Sequence, residues 1–365
     1  MVADTLTQVV SDDVHVERLL NGARASGIRY RRRRRLTIVA ATALAVAAVG
    51  TAGALAAAML PATGNMAAAP TPITDAPSAP PSVRPTATAA DLTQTMTQLP
   101  ALPPAADAPS ALSDPAQVGR PLLIHLGLDV LPFPVRNVQY LASSDGERLY
   151  LQGKAATLTV RLSRSTTDFE PLAGTQQPVV VNGHPGKFAY DESHSGIGTL
   201  RWRVANGLWL QVSGSLDRTA ALAVGNGVRL DRTYRCAVPF RLPSTPAGTR
   251  VESCTMTMYA GPARGAGLTI ATGGSYVTFT TDSGYGAAIR EPNETLGSRP
   301  AEVIEHPGDK GRPILEINFA PEADTMVLMT AEGSYNGSVV RELAATLQWL
   351  GGSDPATWPE NPVAP

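Results

Sequence analysis

The hydrophobic pattern of the chain begins with a long uncharged run. Apolar residues extend from Leu36 to Leu60, directly after five consecutive arginines, namely Arg31, Arg32, Arg33, Arg34 and Arg35. A helix of this run would be roughly 37 Å long at about 1.5 Å per residue, which exceeds the ~30 Å hydrocarbon core of a bilayer. The pattern therefore predicts a single transmembrane helix that contacts the lipid bilayer.

The arginines before this run predict its orientation. Basic residues accumulate on the cytoplasmic side of a membrane span, so residues 1–35 are expected in the cytoplasm and the rest of the chain outside it. One alternative is a cleavable signal peptide with Ala67-Ala68-Ala69 as the processing site, although its apolar region would be unusually long. The other is a buried soluble helix. We expect an uncleaved signal anchor in the cell membrane.

After the apolar run the chain changes to a Pro- and Ala-rich composition. Residues 61–118 contain few aromatic or branched apolar side chains, so they bury too little surface to offset the entropy of ordering. This stretch is predicted to be a disordered linker with a reach of roughly 40 Å. Residues 353–365 are predicted to form a Pro-rich tail.

From about Gly119 the apolar residues follow the period of β-strands. Five segments show this pattern: Leu158–Leu162, Thr199–Val204, Leu208–Val212, Tyr276–Phe279 and Ile314–Phe319. Helical periodicity occurs after Ser215 and after Ser338. The pattern predicts an α+β fold in which antiparallel sheets carry a helix on one face.

The order of these elements occurs twice along the chain. His184–Phe188 aligns with Arg299–Val303, and Leu200–Trp202 aligns with Leu315–Ile317. Each copy continues into a capped helix. The alternative is a chance alignment of generic strand patterns. The two predicted sheet-plus-helix units are residues 119–232 and 233–352.

Composition and charge limit the partners that the chain can have. The 365 residues carry a formal net charge of −1, and residues 1–35 hold eight arginines against four acidic residues. The exported remainder is therefore slightly acidic, which argues against a nucleic-acid partner. The abundance of Ala, Gly, Pro and Arg is typical of bacteria with GC-rich genomes.

The two cysteines of the chain, Cys236 and Cys254, both lie in the exported part. Export permits a disulfide, and a loop of this size would contribute about 3 kcal/mol in the chain-entropy model. The alternative is a pair of buried reduced thiols. Neither cysteine belongs to a C-x-x-C motif, so a redox motif or a structural zinc site is not predicted.

The sequence contains no recognisable catalytic signature. A G-x-S-x-G motif is absent. His184, Asp191, Glu192 and His194 form a cluster with metal-ligand chemistry, but their spacing matches no standard site. A solvated loop is the simpler interpretation of this cluster. We expect no catalytic residue, no metal and no cofactor.

Trp202 and Trp209 are the notable aromatic residues, because aromatic side chains are scarce in this chain. They lie on neighbouring strands of a predicted hairpin and could face each other. We expect them to form core beneath the first helix. The functional alternative is an apolar pocket between sheet and helix that accepts the tail of a ligand.

Part of the chain resembles known bacterial exported domains. The segment Asn182–Gly186, a Trp-containing strand and then Val327–Gly333 before a terminal helix resemble the PsbP-like α/β-sandwich type. The same order is similar to sheet-plus-helix domains of periplasmic sigma-regulator and lipoprotein-carrier proteins. The Arg-rich segment before an Ala-rich anchor resembles membrane proteins of anti-sigma type, although residues 1–35 are few for a sigma-binding domain. The resemblance implies a non-enzymatic domain that binds a lipid, a peptide or a protein.

Together these patterns predict a non-catalytic binding or sensing domain at the bacterial cell envelope. Its partner is expected to be an envelope ligand or a protein, and the resemblance adds a link to sigma-factor-type regulation. An envelope hydrolase with an unrecognised site is one alternative. A purely structural tether is the other.

Overall fold

Alternation of apolar and polar residues produces β-strands through most of the described chain. The computed structural model describes residues 94–363, except for 170, 192–195, 205–206, 261–263, 273–274, 284–290, 308–312, 323–324, 334 and 353. The predicted cytoplasmic segment, its arginines, the predicted transmembrane helix Leu36–Leu60 and most of the linker lie outside the described residues. Within the described part, no helix has the length and apolar character needed to cross a membrane.

The described residues form twenty β-strands and two α-helices. The strands are β1 (Leu123–Ile124), β2 (Gly127–Leu128), β3 (Val135–Ser143), β4 (Gly146–Gly153), β5 (Thr157–Ser163), β6 (Thr175–Val181), β7 (His184–Asp191), β8 (Ile197–Arg203), β9 (Trp209–Gly214), β10 (Val228–Arg229), β11 (Tyr234–Arg235), β12 (Phe240–Arg241), β13 (Arg250–Tyr259), β14 (Arg264–Thr272), β15 (Ser275–Ser283), β16 (Glu294–Leu296), β17 (Arg299–His306), β18 (Ile314–Glu322), β19 (Thr325–Gly333) and β20 (Gln348–Trp349). The helices are α1 (Arg218–Asn226) and α2 (Gly337–Thr346).

Fourteen of these strands form one antiparallel sheet with the same order in each half. From the middle outward, the first half runs β3-β4-β5-β9-β8-β7-β6 and the second runs β13-β14-β15-β19-β18-β17-β16. The halves join where β3 pairs with β13, from Ser143 opposite Ser253 to Asn137 opposite Tyr259. Each half, with the helix that follows it, contains residues from one of the two predicted units. The two units therefore share a single sheet.

The predicted α+β class is wrong, because the described chain is predominantly β. The helices have nine and ten residues, so each spans only about 14 Å at 1.5 Å per residue. Fourteen strands at about 4.8 Å spacing extend over roughly 60 Å. The helices can thus cover only a small part of one sheet face, and other segments must cover the rest.

One face of the large sheet, which we name the inner face, carries the hydrophobic core. In β5, Leu158, Val160 and Leu162 are buried, whereas Thr159 and Arg161 between them are partly exposed. Opposite residues of neighbouring strands point to the same face, so this alternation continues across the sheet. The result is an apolar inner face and a polar outer face.

Both helices pack on the inner face or at its edge. A Cβ atom on Gly225 of α1 would lie 3.5 Å from the buried Trp202, so this helix position must remain small. At the other end of the sheet, Arg299 of β17 donates hydrogen bonds to the carbonyl oxygens of Ala344 (3.4 Å) and Leu347 (2.8 Å). These contacts satisfy carbonyl groups that the end of a helix leaves unpaired.

Segments without long secondary structure complete the cover of the core. Residues 94–118 belong to the predicted disordered linker, yet Ala111 and Val118 are buried and Met96 pairs with Val135. In the predicted tail, Trp358 is also buried. Few apolar side chains suffice here, because the sheet already supplies the surface against which they pack.

The predicted disulfide between Cys236 and Cys254 is confirmed. Cys236 lies in the crossover that leads from the first half to the second, and Cys254 lies on the inner face of β13 beside the join. Both side chains are buried. The bond therefore attaches the crossover to the middle of the large sheet.

Replacing both Cys236 and Cys254 by Ala should lower the free energy of unfolding by about 3 kcal/mol, because the unfolded chain regains the entropy of an open loop. Urea denaturation followed by tryptophan fluorescence measures this change. The reduced wild-type chain is the control and should lose a similar amount. A loss below about 0.5 kcal/mol would contradict the structural role of the bond.

Candidate binding face

The outer face of the large sheet is polar because its strands alternate. Thr159 and Ser213 face each other on β5 and β9, and Thr199 continues the row on β8. A short helical turn, Thr166–Asp168, and the following Phe169 lie beside this face, where Asp168 accepts a hydrogen bond from Ser163. This arrangement leaves a broad polar surface on which charged side chains are displayed.

Four basic residues form one row across the outer face of the first half. Lys187 of β7 is opposite Arg201 of β8, and Arg201 is opposite Gln211 of β9. Gln211 is opposite Arg161 of β5, which is in turn opposite Arg148 of β4. At about 4.8 Å per strand, the row extends over roughly 20 Å. We name these four cations the basic row.

Phe169 and Gln211 hold two guanidinium groups of the basic row in place. The guanidinium carbon of Arg161 lies 5.8 Å from the centre of the Phe169 ring, and that of Arg201 lies 5.3 Å from it. The side-chain oxygen of Gln211 accepts hydrogen bonds from Arg201 at 3.0 and 2.6 Å. Cation–π contacts and hydrogen bonds of this kind orient the two cations before any partner arrives.

The charge of Arg201 is disfavoured by its surroundings. Its pKa is lowered, first because burial penalises the charged form and second because the positive charge of Arg161 is close. Like charges held together at a partly desolvated surface favour the approach of an anion. The neighbouring cleft is lined by Arg148, Arg161 and Phe169 but also by acidic residues, namely Asp145, Glu147 and Asp168, so the acceptor for an anion is the open basic row and not this cleft.

The second half presents acidic side chains at positions related to the basic row. Glu302 of β17 aligns with Lys187 of β7, and both strands are the sixth from the central join. Glu316 of β18 accepts a hydrogen bond from Asn318 at 2.9 Å, and His306 Nε2 lies 3.7 Å from its other oxygen. The outer face is therefore basic in one half and acidic in the other.

Trp202 and Trp209 lie on opposite faces of the sheet, although the sequence predicts both in the core beneath the first helix, with a shared ligand pocket as the alternative. Trp202 is opposite Gly186 and buried on the inner face beneath α1. Trp209 is opposite Arg203, whose guanidinium carbon lies 5.9 Å from the indole ring on the outer face. The two rings therefore do not share a pocket between sheet and helix.

The residues considered for a metal site are not brought together where they are described. His184 and Asp191 are the first and last residues of β7, so they lie about 24 Å apart at ~3.4 Å per residue. Glu192 and His194 are outside the described residues. In the described ranges, no group of three or more His, Cys, Asp or Glu side chains could hold a metal ion.

His125 and Glu147 form a buried ionisable pair that the sequence pattern does not predict. The Glu147 carboxylate lies 2.5 Å from His125 Nδ1 and accepts hydrogen bonds from the backbone N–H groups of His125 (2.6 Å) and Leu126 (3.0 Å). Both side chains are almost completely buried, so a substrate cannot reach them. The pair attaches the segment between β1 and β2 to β4, which is a structural role.

Comparison with known proteins shows only distant likeness. A crystal structure of MucB in complex with MucA(peri) has 12% sequence identity and a TM-score of 0.23, over 60% of this chain and 93% of that chain. The Pseudomonas aeruginosa MucA/MucB complex has 11% identity and a TM-score of 0.22, over 59% and 94% of the respective chains. No protein-family model matches the sequence, and no curated protein matches it.

Glu147→Ala should lower the free energy of unfolding by about 3 to 5 kcal/mol, because it leaves the His125 imidazole and two backbone N–H groups buried without their acceptor. Urea denaturation at neutral pH measures the effect. Asp145→Ala in the adjacent exposed turn is the matched control and should change stability by less than about 0.5 kcal/mol. Equal effects of the two substitutions would show that the buried pair has no special structural role.

Proposed function

We propose that this chain is a non-catalytic binding protein that works outside the cytoplasm and holds an acidic segment of a protein partner on its basic row. The observation that carries this proposal is the row itself. Lys187, Arg201, Arg161 and Arg148 lie in one register across five strands. A protein partner with carboxylates at matching spacing can contact several of these cations together.

The rigidity of the site supports binding rather than chemistry. The cations stand on paired strands, and Phe169 and Gln211 hold two of them. Preorganised side chains lose little entropy when a partner binds. A sheet face of this kind offers a wide contact area, which suits a macromolecule better than a small substrate.

The buried disulfide supports a location outside the cytoplasm. Disulfides persist in oxidising compartments and are rare in the cytosol. The Cys236–Cys254 bond attaches the crossover to the centre of the core, so a compartment in which this bond forms favours the folded state. The bond thus supports an oxidising compartment, and we propose the cell envelope as the location of the binding domain. A link to sigma-factor-type regulation stays a prediction of the sequence resemblance.

The proposal predicts that the full-length chain binds poly-L-glutamate and that the double variant Arg161→Glu, Lys187→Glu binds it at least about tenfold more weakly. Binding weakens because the two introduced glutamates repel the glutamates of the polymer, whereas Arg161 and Lys187 attract them. Fluorescence anisotropy of the labelled polymer measures the affinity at about 50 and about 300 mM salt, and wild-type affinity should fall at the higher concentration.

Lys154→Glu provides the matched control, because Lys154 is exposed in the turn between β4 and β5 and lies outside the basic row. It should leave the affinity within about twofold of wild type. Equal binding of poly-L-lysine, or an equal loss from Lys154→Glu, would refute a specific site for acidic segments.

A further inference from the structure

Strand β6 is one edge of the large sheet, and it differs from the opposite edge in length. It has seven residues, whereas the opposite edge strand, β16, has three. An edge strand presents N–H and C=O groups that an extended segment can pair with. Among the described strands at the two edges, β6 is therefore the longer template for an added strand.

The hairpin between β6 and β7 determines which backbone groups of β6 point outward. Asn182 and Gly183 have positive φ values of 47° and 79°, which is the geometry of a two-residue hairpin turn. Such a turn makes the flanking residues, Val181 and His184, a hydrogen-bonded pair. Val181 thus directs both its backbone groups toward β7.

Because the direction of the backbone groups alternates along a strand, the backbone groups of Val180, Pro178 and Gln176 point away from β7. Pro178 agrees with this assignment, because a proline fits within a strand where its nitrogen faces the open edge. The outward groups are the N–H and C=O of Gln176 and Val180 and the C=O of Pro178. Val180 is 65% exposed, so this side of β6 is accessible.

The outward residues of β6 lie beside the basic row on the outer face. Pro178 is opposite Lys187, which is opposite Arg201. A glutamate on an added strand opposite Pro178 would be two strand spacings, about 10 Å, from the Lys187 backbone. Extended Glu and Lys side chains can bridge this distance across the small proline ring. An added strand with basic residues would instead meet like charge.

We propose that part of the acidic partner binds in an extended conformation and pairs with β6 as an additional strand, with the acidic side chain opposite Pro178 directed toward Lys187 at the end of the basic row. This inference rests on the proposed function and describes how the partner engages that end of the row. A second copy that pairs through its own β6 fits less well, because that strand has the sequence T-Q-Q-P-V-V-V and contributes no acidic residue to face Lys187.

The test uses a fluorescent peptide of alternating Glu and Val about as long as β6, which has seven residues. Its Val side chains would lie on the inner side, beside Val179 and Val181. With the full-length chain, Val180→Pro should weaken binding at least about tenfold, because the ring removes an outward N–H and obstructs the added strand. Val180→Thr retains the N–H and should stay within about twofold of wild type.

A second measurement covers the case in which Val180→Pro fails to fold, as judged by circular dichroism. The same peptide, N-methylated at the residues whose amides face β6, should bind wild type at least about tenfold more weakly than the unmethylated peptide. Unchanged binding of the methylated peptide would overturn the inference even if Val180→Pro is unusable.

Other outcomes separate this inference from the proposed function. If Lys187→Glu abolishes peptide binding but Val180→Pro matches Val180→Thr, the acidic partner binds the outer face without pairing to β6. If the peptide does not bind wild type up to about 1 mM, the inference is refuted. Sedimentation velocity tests whether the free chain forms a dimer. If it does, and if Val180→Pro dissociates that dimer, the β6 edge binds a second copy and the inference of an acidic partner strand is refuted.

Discussion

The pairing of β3 with β13 is the interaction on which the rest of the structure depends. It converts two seven-stranded halves into one sheet of fourteen strands. A continuous sheet of this width has an apolar inner face that two short helices cannot cover. Residues 94–118, the crossover and the segment with Trp358 therefore pack on this face. The Cys236–Cys254 bond holds the crossover beside the central pair of strands.

The two halves keep the same strand order and differ where packing imposes no constraint. Most inner-face positions are apolar in both halves, because a polar group buried there is costly unless it has a partner, as Glu147 has in His125. Outer-face positions contact solvent and are free to change charge. Lys187 and Glu302 occupy related positions on the sixth strand from the join. One scaffold thus supports a basic surface in one half and an acidic surface in the other.

The candidate site combines local and distant parts of the chain. Arg148 and Arg161 are neighbours through one hairpin, but Arg201 reaches them only because β9 lies between β5 and β8. The four cations are scattered along the sequence without any motif, so spacing alone could not identify them. Phe169 belongs to a turn whose position over the outer face depends on the same strand order.

The sequence by itself predicted several of the strands and the two-fold repetition of their order, because alternation and repetition are properties of local pattern. It also predicted the disulfide, because both cysteines lie in the part expected to be exported. It predicted an α+β class in which helices cover the sheets, whereas the two helices cover only a small part of one face. It also assigned residues 94–118 to a disordered linker, because the burial of isolated apolar residues such as Ala111 depends on a sheet surface that is distant in the sequence. Only the tertiary structure decided the joining of the halves, the basic row and the buried His125–Glu147 pair. These features depend on contacts between residues far apart in the chain, and such contacts follow from how the strands pair in three dimensions.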